Sequence, residues 1–310
     1  MSSGKRAFLL SLPLVAFAIG GGFYVPPAQM VPELVDNGAE VSLREMPALP
    51  TWASEPLPDF SEYRDTTERK AAFFAFLYPR VVLANSRVLL ERDYLLRLKA
   101  KDHLGPREKR WLQAQADRLR VDGDTGSDAQ FALLEKRLDV VPPSLVLAQA
   151  ANESAWGTSR FARKGNNLFG QWCFSQGCGL VPRSRVQGAT HEVATFQSPY
   201  RSIRSYIQNI NRHATYQGLR ERRIADRQAG QPLSGLELAQ GLDGYSERGQ
   251  EYVEDIRGMI HYNNLEFYDD DFRKVLKDRS PSTLQQLASR RSDQDLLPGR
   301  DPIRDNASEG

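Results

Sequence analysis

Cysteine and histidine are scarce in this chain of 310 residues: two cysteines, Cys173 and Cys178, and four histidines. His103, His191, His213 and His261 stand at no ligand spacing from one another or from the cysteines, so no metal and no cofactor are expected. A surplus of charge is missing too. Lys and Arg number 41 against 39 Asp and Glu, with no basic stripe, which excludes nucleic acid as the expected partner. Internal repeats are also absent. One long charge-free run exists, "AFLLSLPLVAFAIGGGFYV" (7–25), preceded by Lys5 and Arg6. It reads as an export signal or a membrane anchor over residues 1–25. Pro13 and the glycines at 20–22 oppose a stable spanning helix, and Ala16-Phe17-Ala18 offers a cleavage site. In an exported protein, Cys173 and Cys178 most simply form a disulfide that closes the short loop "FSQG".

Residues 26–59 carry seven prolines and little periodicity, and read as an extended linker. From Ser61 the pattern turns helical. "ERKAAFFAFLYPRVVLANSRVLLERDYLLRLKAK" predicts a long helix bent or broken at Pro79, and "PREKRWLQAQADRL" a second one with Pro106 in its first turn. Pro142-Pro143-Ser144 opens a helix expected to run to Trp156, with Gly157 as its C-cap. Residues 180–196 predict one β-hairpin with Gln187-Gly188 at the tip. Ser198-Pro199 opens a helix with Ile203, Tyr206, Ile207, Ile210 and Ala214 on one face. Two more helices are predicted over 234–241 and 249–263. The polar stretch 276–310 reads as a disordered tail. The expected organisation is therefore a mainly helical α+β domain over 60–275, with additional N-terminal helices at 61–120.

Between Ala148 and Phe174 the chain has a single acidic residue, Glu153, amid alanine, asparagine, serine and tryptophan. A carboxyl in the last turn of a helix feels the negative end of the helix dipole, and apolar neighbours desolvate it. Both effects favour the protonated form. A glutamic acid that keeps its proton near neutral pH can protonate a leaving oxygen, as glycosidases require. Spacing alone leaves open the alternative of a solvated helix residue.

The surrounding words narrow the choice. "AQAANESAWGTS" followed by "NNLFG" resembles the core of the bacterial peptidoglycan glucosaminidases of glycoside hydrolase family 73. "TFQSPYRSIRSYIQNI" and "GLDGYSERGQEYVEDIRGMI" are similar to that family's later segments, in the same order, so that the resemblance covers about 142–265. The N-terminal run, by its own composition, offers an inner-membrane tether through 7–25 if it is retained. The resemblance implies a lysozyme-like fold and an endo-β-N-acetylglucosaminidase acting on peptidoglycan glycan strands in the periplasm. It makes Glu153 the general acid. Trp156, Asn167, Phe169 and Gly170 would line the cleft, with Tyr245 beside the acid and Tyr252 as the second family tyrosine. Glu192, on the returning arm of the hairpin, is the expected base or charge stabiliser, the alternative being an exposed strand residue. A separation of about 5–5.5 Å between the two carboxyl groups would imply retention and about 6.5–9.5 Å inversion. Substrate assistance by the 2-acetamido group, with Tyr245 orienting it, is the alternative if Glu192 is distant or mobile. The seven-residue spacing of the tyrosines exceeds the family's six, and "SERG" stands where the family has "ATDP".

Three other readings compete. A muramidase or lytic transglycosylase would use one helix glutamate on the same fold. A thiol hydrolase of peptide crosslinks would use Cys173 with His191 or His213. A non-catalytic peptidoglycan-binding module would have no need of the acid.

Overall fold

The computed structural model describes residues 43, 46–183, 185 and 188–278. The expected signal or anchor at 1–25 and nearly all of the expected tail at 276–310 lie outside them. Within them the protein is mainly helical α+β, as expected, with ten α-helices, four short 3-10 turns and one small sheet.

The longest element is α1, Thr66–Lys99, started by Asp65, whose carboxylate accepts the Glu68 amide. It runs through Pro79 without a break. A mid-helix proline costs ~3 kcal/mol locally. Here both flanks of the proline are held: Tyr78 and Val81 are buried, and the Arg80 guanidinium returns to the Phe76 carbonyl at 2.7 Å. Tertiary packing outweighs the local preference. Although α1 is long and apolar enough to cross a membrane, most of it is buried inside the protein, as suits a core helix.

Two shorter helices, α2 (Pro106–Leu119) and α3 (Asp128–Arg137), follow, then α4 (Pro143–Ser154). Every residue of α4 from Pro143 to Ala151 is buried. An all-round apolar helix belongs at the centre of a domain. It packs against α1 and against three later helices, α8 (Gly235–Leu238), α9 (Gln250–Tyr262) and α10 (Glu266–Val275). The remaining elements are α5 (Arg160–Gly165), α6 (Pro199–Arg212) and α7 (Gln217–Gln228). Asp139, just before α4, is buried and binds Arg227 of α7 through both oxygens at 2.5 Å. The buried Arg223 donates to the Val140 carbonyl at 2.9 Å.

Three differences from the sequence reading have physical causes. The linker expected over 26–59 is described from Met46 on, and there it packs: Trp52 and Ala53 are buried, and Arg80 donates to the Trp52 carbonyl at 2.6 Å while Arg87 donates to that of Pro47 at 2.6 Å. Prolines conceal the attachment because the anchors are arginines on α1. The hairpin is part of a three-stranded sheet, β1 (Trp172–Cys173), β2 (Gly179–Leu180) and β3 (Glu192–Ala194), in the order β1-β3-β2. β3 pairs antiparallel with both neighbours, Cys173 opposite Glu192 and Gly179 opposite Ala194. A two-residue strand has too few positions to alternate. The helix expected over 234–241 divides into α8 and a 3-10 turn, Ala239–Gly241.

Candidate active site

The site is built at the C-terminal end of α4. The helix starts on Pro142, which offers no capping side chain, and Asp269 of α10 supplies the missing acceptor. Its carboxyl receives the Ser144 amide at 2.8 Å, the Ser144 hydroxyl at 2.6 Å and the Gly235 amide of α8 at 2.9 Å. Gly235 must be glycine, since a Cβ there would lie 2.0 Å from Ser144 Oγ.

The other end stops two residues earlier than the sequence suggests. The helix closes at Ser154, and Ala155, Trp156 and Gly157 are all left-handed, with φ of 49°, 58° and 77°. Two consecutive non-glycine residues in that region cost on the order of 1 kcal/mol each. Ser154 holds the turn: its hydroxyl donates to the Ala150 carbonyl at 2.5 Å and accepts the Gly157 amide at 2.8 Å. Gly157 sits against Phe60, where a Cβ would meet the ring at 2.5 Å. Ser159 then caps α5. The spelling E-S-A-W-G-T-S is thus the recipe for a helix stop, a left-handed reversal and a restart.

A helix running to Trp156 would place that residue one turn on from Glu153, but the helix ends at Ser154 and Trp156 lies within the reversal. It turns to α1 and meets Phe73 and Phe74 edge-on at 5.8 and 5.4 Å, with the Lys70 ammonium 4.9 Å over its ring. Its role here is to dock the end of α4 on α1.

Glu153 is half-buried, and burial raises its carboxyl above the usual value, partly opposed by hydrogen bonds from Tyr252 and Asn152. The Tyr252 hydroxyl donates to Glu153 Oε1 at 2.8 Å, and Asn152 Nδ2 to the same oxygen at 3.1 Å. Tyr252 in turn accepts from Gln149 Nε2 at 2.8 Å, and Gln149 Oε1 accepts from the Tyr206 hydroxyl. Tyr245, which the resemblance puts beside the acid, stacks on Tyr252 at 5.1 Å and sends its hydroxyl to the Phe169 carbonyl at 3.2 Å. Burial raises the hydroxyls of Tyr206, Tyr245 and Tyr252 well above their usual range, so all three stay protonated donors.

The NLFG segment is shaped from within. Buried Asn167 donates to the carbonyls of Gln171 and Ala194, both at 2.8 Å, and accepts the Phe169 and Gln171 amides. Phe169 is buried and stacks on Tyr206 at 4.1 Å. Gly170 is exposed at φ 62°. Asn167 and Phe169 therefore act as the frame of the loop, and Gly170 is its open surface.

Cys173 and Cys178 form a disulfide. This ties up the sulfur that the thiol-hydrolase reading requires, and His191 stacks on Trp172 at 4.1 Å. Glu192 is buried and accepts the amides of Gly177 at 3.1 Å and Gly179 at 2.8 Å, which hold its carboxyl below the usual value. The sulfurs and this carboxylate lie within 4.8 Å of one another, but disulfide sulfurs are not thiolate ligands and both oxygens already serve the loop.

Sequence reasoning missed Gln149, Asn152 and Tyr206 as members of the site. Gln149 and Asn152 flank Glu153 by four and one residues, and a buried amide four residues before an acid on an apolar helix was the available signal. Tyr206 gave none, because it occupies a core position of α6.

Two comparisons with known proteins bear on the family of this chain. The glucosaminidase family, described as mannosyl-glycoprotein endo-beta-N-acetylglucosaminidase, matches residues 129–265. Protein bax of Escherichia coli (strain K12) is 34% identical over 212 residues, which cover 68% of this chain and 75% of the relative. No solved structure matches. The family match contains the whole stretch from α4 to α9, and a relative aligned over three quarters of its own length extends it: the chain belongs to the glucosaminidase family, whose character is that of glycoside hydrolases acting on glycans.

Proposed function

We propose that the protein is an exported endo-β-N-acetylglucosaminidase that hydrolyses the β-1,4 bond following N-acetylglucosamine in peptidoglycan strands, on a lysozyme-like domain. The observation that carries this reading is the state of Glu153: a half-buried carboxyl, raised by burial, beside the Tyr252 hydroxyl. An acid kept protonated toward neutral pH protonates the leaving oxygen as the glycosidic bond breaks, and the sugar passes through an oxocarbenium-like transition state. The exposed Gly170 turn supplies a wall that a sugar ring can approach. The disulfide suits an oxidising compartment such as the periplasm. The inner-membrane tether through 7–25 belongs to this proposal and lies outside the described residues.

A second reading has one observation in its favour. Both oxygens of Glu192 are engaged by the loop, so a mechanism with a single carboxyl needs no rearrangement there. Substrate assistance by the 2-acetamido group is one such course, and lytic transglycosylation is another. Digestion of purified sacculi by the wild type and Glu153→Gln, with the new ends read by mass spectrometry after borohydride reduction, tests the proposal. Reduced N-acetylglucosamine ends from the wild type alone are expected. Anhydromuramyl ends would transfer the protein to the transglycosylases, and reduced muramyl ends to the muramidases. No products from either folded protein would leave a binding module.

A further inference from the structure

We infer that Tyr206 and Gln149 are positioning residues that fix on which oxygen Glu153 carries its proton, an inference that rests on the acid role proposed for Glu153. Tyr206 is fully enclosed in the core, stacked on Phe169, and Gln149 Oε1 is the acceptor of its hydroxyl hydrogen among the described residues. Reversing that bond would leave the hydroxyl hydrogen buried with nothing to receive it, at the full desolvation cost of an unmet donor. The amide of Gln149 is therefore held one way round, with oxygen toward Tyr206 and nitrogen toward Tyr252. Receiving that amide hydrogen, Tyr252 directs its own toward Glu153 Oε1.

The chain of bonds thus has a direction, set at its buried end. Asn152 adds a second donor to the same oxygen. With two hydrogens already aimed at Oε1, the proton of neutral Glu153 resides on Oε2, the oxygen that accepts from neither neighbour. The relay thus holds the transferable proton away from the tyrosine, on the oxygen left to face a leaving group. Removing the Tyr206 hydroxyl frees the Gln149 amide to turn its oxygen toward Tyr252, which then donates to Gln149 and accepts a hydrogen bond from Oε1–H. The neutral acid then gains stability in the wrong arrangement. Its midpoint rises while its competence falls, a pairing of effects that loosened packing does not produce.

Tyr206→Phe and Tyr206→Leu test this with two readouts. Carboxyl-labelled glutamate followed by NMR, with the Glu153 signal assigned by its loss in Glu153→Gln, reports the midpoint without any turnover. Turnover of soluble glycan fragments across pH reports kcat, KM and the basic limb of the profile. Both variants are expected to move the Glu153 midpoint and the basic limb to higher pH together. Their kcat should fall on the order of tenfold with KM unchanged. If either variant fails to fold, the other carries the test. An unchanged midpoint in a folded variant overturns the relay, and so does a loss of kcat without movement of the basic limb. A wild type that turns over no glycan would sink the hydrolase reading alone, and the carboxyl titration would still judge the relay.

Discussion

Replacing Asp269 with asparagine should change the pH dependence of stability in a calculable way. Asp269 is buried, and desolvation raises its carboxyl from the ordinary 3.8 to about 6, against the pull of the Gly235 and Ser144 hydrogen bonds. The folded protein thus binds this proton more tightly than the unfolded chain. The resulting stabilisation is full below pH 3.8 and is lost as pH rises through about 6. A change of that size amounts to ~3 kcal/mol over the whole window. Asparagine cannot ionise, so it removes the dependence. It also turns an amide nitrogen toward one of the backbone N–H groups that Asp269 accepts from, that of Ser144 or that of Gly235, at a pH-independent cost of ~1–3 kcal/mol. Urea unfolding of both proteins from about pH 4 to about pH 7 should show the wild-type advantage shrinking by ~2–3 kcal/mol. Other titrating groups cancel in this difference, including Glu153, raised by burial, and Asp139, lowered by its arginines. Parallel curves for the two proteins would refute the assignment.

Two further perturbations test other parts of the site. Gly157→Ala combines a left-handed backbone with a Cβ 2.5 Å from Phe60, and should destabilise by ~2–4 kcal/mol; an unchanged urea midpoint would contradict the account of the reversal. Glu192→Gln gives up one acceptor of the loop amides, so the protein should keep measurable glycan cleavage where Glu153→Gln keeps none. Cleavage abolished to the level of Glu153→Gln, in a folded protein, would return Glu192 to the role of base.

The central helix was legible because its composition is extreme: an apolar run behind two prolines, carrying one acid, allows few alternatives. Its end was misread because a glycine at 157 is the usual stop signal, whereas Ala155 already leaves the helix. No residue preference announces a left-handed alanine followed by a left-handed tryptophan; Ser154 and the aromatic face of α1 impose them. The two tyrosines were legible as a pair, yet which of them reaches Glu153 depends on where the turn before α9 places each ring. The disulfide was readable from local spacing, but the anchoring of its loop by Glu192 was not, because the carboxylate arrives from a strand some fifteen residues on. Side chains that serve backbone groups leave little trace in a pattern of polarity.

The docking of Trp156 on Phe73 and Phe74 bears on how much chain constitutes a working unit. The family match begins at residue 129 and ends at 265, so it omits both the aromatic pair that receives the end of α4 and the aspartate that receives its beginning. A segment excised at those limits would carry the acid, the tyrosines and the disulfide, yet would expose the indole and leave the helix start without its acceptor. The matched segment is here shorter than the unit that holds the central helix at both ends. Grafting the site into another scaffold would require the long first helix and the last one to travel with it.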